Sequence, residues 1–278
     1  SAFNYVYHRY VNFATDTIGI PLNANVAWGK KTSVVIPKNG HLLSKLSLHI
    51  KLPRLQNVDG TYVCWCDAIG YAIFKEPIEL QIGGVIVDKL YPTLLDIVDE
   101  LTCSTKRIGK NLMILKSDNY VSAIYNAQKD IDLIIPLDFW FTKEYSMALP
   151  LLSMNSQDIQ LNFNFIDFDR AINYDGNIGA NLTNILDSTL YAEYVFLDES
   201  VLDTFQQKEH VYIIEQTVYN GKEIVKEDTA VYNTKINFNN PCKEILFVCK
   251  LIENLDIIII LITLMKMAIL LLQMQVYY

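Results

Sequence analysis

The chain has 278 residues, a formal net charge of -8, 51% hydrophobic residues and 19% charged residues. It is too apolar and too sparsely charged for a disordered chain, and too acidic to coat nucleic acid, which calls for a basic face against phosphate. Five cysteines, an odd number at irregular spacing, fit reduced thiols rather than a disulfide scaffold.

Taken in chain order, the first ten residues are polar and aromatic and carry no secretory hydrophobic run. A strand is expected at 33–36, followed by a turn at Lys38-Asn39-Gly40. Leu46, Leu48, Ile50 and Leu52 then alternate with Ser47, His49 and Lys51, the period of a half-buried strand, which puts His49 on the wet side. Strands at 78–82 and 85–90 are joined by Gly83-Gly84, a tight-hairpin signal. A helix is expected at 92–101, with Thr93 as its cap and Leu94, Ile97, Val98 and Leu101 as an apolar stripe.

Residues 102–130 have weak periodicity and predict a long loop leaving the sandwich. A strand follows at 132–136. Phe139-Trp140-Phe141 and Ala148-Leu149-Pro150-Leu151 are too apolar to face water, so they are either core or a surface that a partner covers. Ile159, Leu161, Phe163 and Phe165 alternate with Gln160, Asn162 and Asn164 as another half-buried strand, which Asp167-Phe168-Asp169 ends. Residues 173–184 form a polar loop that holds the sequon Asn181-Leu182-Thr183. Strands at 190–197, 210–218 and 230–238 complete the series; a domain break falls near 198–204, and Asn220-Gly221 ends the strand before it. Many strands, few helices and no βαβ alternation predict an all-β sandwich.

Catalytic signatures are missing. No Gly-rich phosphate loop, dinucleotide fingerprint or G-x-S-x-G elbow is present. His8, His41, His49 and His210 include no pair one residue apart, as a metal-binding sandwich of the cupin kind needs. Cys64-x-Cys66 is half of a zinc site, and Cys242 and Cys249 are too far apart to be the other half. Asp167 and Asp169 could hold a cation or serve in glycoside hydrolysis, but a solvated strand end is the simpler role.

Several segments, in this order, resemble the major capsid proteins of nucleocytoplasmic large DNA viruses, of the giant algal and amoebal type. Tyr7, Arg9, Asn12 and Phe13 lie in a segment similar to the family's N-terminal arm. Trp28-Gly29, Gly40 and Pro53 mark segments similar to its first strands, with His41 where the family usually has an acidic residue. Gly83, Gly84 and Asp88 match its hairpin and following strand. Pro136, Phe139, Trp140, Phe141, Leu149 and Pro150 make the most specific match, and 206–216 resembles the start of the family's second domain.

The resemblance implies a double jelly roll. On this reading residues 1–199 are a complete first jelly roll, residues 200–250 begin a second, and residues 251–278 are an atypical hydrophobic tail. It further implies no catalysis, no cofactor and no direct nucleic-acid binding. The chain would form a homotrimer with a pseudo-hexagonal outline, tiling an icosahedral virion shell assembled in the host cytoplasm. Its partners would be itself, neighbouring capsomers, minor capsid proteins and the internal viral membrane. In the tail, 21 of 28 residues are apolar and only Glu253, Asp256 and Lys266 are charged. It reads as an aberrant end, as a buried helix or strand of a shortened second domain, or as a membrane anchor in a minor shell protein. Another class of function also fits a sandwich: carbohydrate binding or host attachment through exposed aromatic residues.

Overall fold

The computed structural model describes residues 12–22, 26–56, 60, 62–101, 113–117, 119–154, 156–176, 184–207, 210–225, 233, 235, 240–251 and 257–271. For 222–225, 247–251 and 257–271 it describes the backbone path. The chain divides into two compact units, Ser1–Lys208 and Glu209–Tyr278.

Among the described residues, eight strands build the sandwich of the first unit: β1 (Phe13–Pro21), β2 (Lys31–Ile36), β3 (Leu42–Leu52), β5 (Ile78–Ile82), β6 (Val85–Leu90), β7 (Ile131–Pro136), β8 (Ile159–Asn164) and β10 (Asp187–Leu197). They form two four-stranded sheets, ordered β1-β10-β3-β7 and β2-β8-β5-β6. Every pairing within them is antiparallel. The chain passes from one sheet to the other at nearly every connection, which is the jelly-roll winding. The all-β jelly-roll architecture expected from the sequence is therefore the one observed.

The period-two runs explain the core. In β3, Leu46, Leu48, Ile50 and Leu52 are all buried, and in β8 so are Ile159, Leu161 and Phe163. Each fully buried aliphatic or aromatic side chain contributes roughly 1.5–3 kcal/mol. Gly83 and Gly84 both have positive φ (59° and 80°), the geometry of a two-residue hairpin that only glycine adopts freely.

Several elements differ from expectation. The helix α2 (Pro92–Leu101) has the expected bounds, but Pro92 opens it and Tyr91 O accepts from Leu95 N–H, so Thr93 lies inside the first turn rather than capping it. More helices are present: α1 (Ile69–Ala72), α3 (Tyr120–Ala127), α4 (Phe168–Ala171) and α5 (Glu199–Gln207). Asp167-Phe168-Asp169 leads into a short helix with Phe168 buried, while Asp167 and Asp169 stay exposed, as expected for solvated carboxylates. A small sheet pairs β4 (Val63–Trp65) with β9 (Ile172–Tyr174), strands too short to show a period.

The described part of 102–130 is folded, not a free loop. Ile114 is fully buried against Gly70 of α1. Lys116 Nζ lies 2.9 Å from Asp96 and 3.0 Å from Glu100 on α2. Helix α3 is capped by Asn119, whose Oδ1 accepts from Ser122 N–H, and Ala127 O accepts from Leu55 N–H at 2.8 Å.

The second unit holds a three-stranded antiparallel sheet ordered β11-β13-β12, with β11 at Val211–Val225, β12 at Cys242–Leu251 and β13 at Ile257–Leu271. Asn220-Gly221 does not end β11. Gly221 takes φ 105° and the register shifts between Tyr219 and Lys222, so the strand bulges and continues. Apart from Asn233 and Lys235, the expected strand at 230–238 falls outside the described residues, as does the sequon at Asn181. No helix among the described residues is long and apolar enough to cross a membrane.

Candidate structural site and assembly surfaces

The residues singled out from the sequence gather mainly at two ends of the sandwich. Tyr7 and Arg9 lie outside the described residues, and Asn12 is exposed just before β1. Phe13 opens β1 with its ring 5.4 Å from Tyr145, against a cluster of Leu42, Ala148 and Val195 that Leu197 and Phe205 of α5 also cover.

Pro136 ends β7 opposite Ser47. The chain then turns across the core. Phe139 and Phe141 are fully buried with rings parallel at 5.8 Å, and Trp140 is 3% exposed, edge-on to Phe141 at 5.3 Å. Of the two roles open to this triplet, core is the one it fills. Leu149 exchanges both backbone hydrogen bonds with Leu43 at 2.9 Å, and Pro150 is buried beside it. The segment from 137 to 154 thus works as a plug tied to the start of β3.

Gly40 and His41 sit at the same place. A Cβ on Gly40 would lie 2.7 Å from Tyr194 Cβ, so only glycine lets the chain pass. The Tyr194 hydroxyl donates to Pro37 O at 2.7 Å, and burial pushes its phenol up to about 12. His41 Nδ1 accepts from Leu197 N–H at 2.9 Å. A carboxylate at this position could accept the same bond, which gives a physical reason for a histidine where the family usually has an acid.

At the other end, Trp28 stacks on Trp65 at 5.8 Å and meets Phe168 edge-on at 5.5 Å. Gly29 has φ 71°, and a Cβ there would strike Asp167 Oδ1 at 2.7 Å. Pro53 is buried where β3 runs out. Asp88, only 6% exposed, accepts from Lys89 N–H at 2.8 Å. Sequence reasoning missed Tyr194 and Glu193. Ser44 Oγ donates to the Glu193 carboxylate at 2.8 Å across a bulge between β10 and β3 that no local pattern announces.

Groups suited to chemistry are dispersed. His49 Nε2 is 2.9 Å from Asp132 Oδ1 and its side chain is 18% exposed, so it is paired and half-covered rather than freely solvated as expected. Burial pushes the Cys66 thiol up to about 11, far from a reactive thiolate. A polar cavity of about 340 Å³ on the outer face of β2-β8-β5 is lined by Lys31, Ser33, Glu76, Glu79, Asn162 and Asn164, with Lys31 and Glu76 paired at 3.1 Å. Hydrogen bonds from Asn164 and Lys31 hold the Glu76 carboxyl below its usual value. Among the described residues no three His, Cys, Asp or Glu side chains come together to hold a metal.

Exposed apolar side chains lie on the outside. Tyr120, Val121 and Tyr125 of α3 stand 50–74% exposed, Tyr174 of β9 is also exposed, and Lys129 Nζ lies 5.3 Å over the Tyr125 ring. Val35 and Ile86 lie on the outer face of the other sheet, on strands separated by β8 and β5. Surfaces of this kind suit contacts with other chains.

A family model described as the major capsid protein N-terminus matches residues 1–198. The chain belongs to that family. It is similar to capsid protein 1 of Acanthamoeba polyphaga mimivirus, 31% identical over 269 residues that cover 90% of this chain and 45% of the relative. The major capsid protein of Paramecium bursaria Chlorella virus 1 is 29% identical over 245 residues, covering 87% and 54%. A quasi-atomic structure of the PBCV-1 virus capsid matches with a TM-score of 0.69 at 25% identity, covering 88% of this chain and 58% of that one. The chain spans about half the length of the curated relatives it matches. The family membership expected from the ordered motifs is thus established for a capsid family of large DNA viruses.

Proposed function

We propose that the chain is a structural subunit of a virion shell and acts by self-assembly rather than catalysis. One observation carries this reading: the family match runs over the whole eight-stranded jelly roll. On this reading three copies associate into a pseudo-hexagonal capsomer, and capsomers tile an icosahedral shell assembled in the host cytoplasm, with minor capsid proteins and an internal membrane as further neighbours. Residues 1–199 supply the first jelly roll and residues 200–250 begin a second, followed by the tail at 251–278. The motif residues from Trp28 to Pro150 act by packing and hydrogen bonding within the sandwich. They hold the ends of the sandwich so that its outer faces keep one shape, as a repeating tile requires. The exposed side chains Tyr120, Val121 and Tyr125 are the described residues best suited to subunit contacts. Negative-stain electron microscopy of the purified chain tests the proposal. Three-fold particles support it. Isolated monomers that bind a glycan array would favour host attachment instead.

A further inference from the structure

The apolar run near the C-terminus has three incompatible readings in the sequence, and its place in the second sheet separates them. Ile257–Leu271 is the central strand, paired with β11 on one side and β12 on the other. Its first four residues are all isoleucine, and Lys266 is its one charged residue. Four identical residues in a row carry no register information, because a slip of one leaves the same side chain at most of those positions. Something else must fix the pairing.

Lys266 sits directly opposite Glu215 of β11. Glu215 is also held from β12, where Lys243 Nζ lies 2.9 Å from its carboxylate. Two register shifts fall at this point. One, on the β11 side, leaves Met267 unmatched between Ala268, opposite Ile214, and Lys266. The other, between Cys242 and Glu244, leaves Lys243 as the extra residue of β12. Together they place two lysine positions, 243 and 266, at the level of the one carboxylate at 215. Without the first shift, Glu215 would face Met267.

We propose that the placement of opposite charges at the facing positions 215 and 266 sets the register of β13 and commits this apolar segment to the sheet rather than to a lipid bilayer. Opposite charges directly across a strand pair are favourable and like charges unfavourable. In a bilayer the same lysine would be an unpaired charge in an apolar stretch shorter than a usual spanning helix. The proposal concerns the second unit alone and does not depend on how the chain assembles.

Hydrogen exchange of the full-length chain, read by mass spectrometry over 257–271, tests it together with flotation on phosphatidylcholine vesicles. The unaltered chain should show protected amides there and should not float. Glu215→Lys and Lys266→Glu, each alone, should speed exchange of this segment about fivefold. The double variant, with the charges exchanged, should return it towards the original rate. Fast exchange in the unaltered chain, or its flotation with vesicles, overturns the proposal. So do single variants that exchange like the original. Should the single variants precipitate, the double variant decides: soluble and protected supports the proposal, and precipitated overturns it.

Discussion

Replacing Gly70 with alanine should destabilise the first unit, although alanine is the better helix former. Gly70 lies in α1, and a Cβ there would fall 2.8 Å from Ile114 Cα and 2.9 Å from its Cβ. Ordinary contact begins near 3.4 Å, so the segments would have to part by about 0.6 Å. The nearest atom is backbone, so no rotamer change relieves the clash. Overpacking of this kind costs about 1–3 kcal/mol, against at most about 1 kcal/mol gained in helix propensity within so short a helix. The net loss is about 1–2 kcal/mol, and a unit of this size should melt about 2–8 °C lower. Gly84→Ala is the control. It meets nothing within 4 Å and suffers only from its φ of 80°, a cost of about 1 kcal/mol. The assay is thermal unfolding by circular dichroism, with hydrogen exchange at Ile114. Gly70→Ala should speed exchange there and Gly84→Ala should not. A Gly70→Ala protein that melts at or above the original temperature, with Ile114 still protected, would refute the packing of this segment on α1.

Other outcomes follow from the same contacts. Burial raises the Tyr194 phenol from 10.0 to about 12, so its contribution to stability is complete below pH 10 and is lost as the pH rises towards 12. Urea unfolding at pH 9 and pH 11.5 should show a smaller alkaline loss in Tyr194→Phe, which forfeits about 1 kcal/mol at neutral pH with its hydrogen bond to Pro37. His41→Asp should keep the acceptor for Leu197 N–H and lie within about 1 kcal/mol of the original, whereas His41→Leu should lose about 1–3 kcal/mol; an equal effect of both in urea titrations would remove that role. Phe139→Ala, at a fully buried ring, should cost about 3–5 kcal/mol by the same measurement.

How much was legible follows from the length of each signal. Ile78–Ile82, Val85–Leu90 and the helix Pro92–Leu101 were readable to the residue, because alternation, a Gly-Gly hairpin and an apolar stripe each act locally. β1 was not, since a run of exposed residues on both faces, Thr15, Asp16 and Thr17 among them, leaves little apolar alternation at the edge of the sheet. Helix α3 escaped because its eight residues turn Tyr120, Val121 and Tyr125 outward and, of apolar residues, cover only Ala123, Ile124 and Ala127, a stripe too short to announce a helix. Asn220-Gly221 misled, because the residues that favour a turn also favour a bulge inside a long strand. The plug of residues 137–154 was recognisable as apolar, but only its bonds to Leu43 and His41 show that it closes the core. His41, Ser44 and Tyr194 work through partners more than 150 residues away or nearly so, and no local pattern reaches that far.

The claim that the chain acts by self-assembly is tested most directly by light scattering coupled to size-exclusion chromatography. The account predicts one species with three times the 31.9 kDa mass of a single chain, unchanged across a tenfold dilution. A stable monodisperse monomer at every concentration would contradict it.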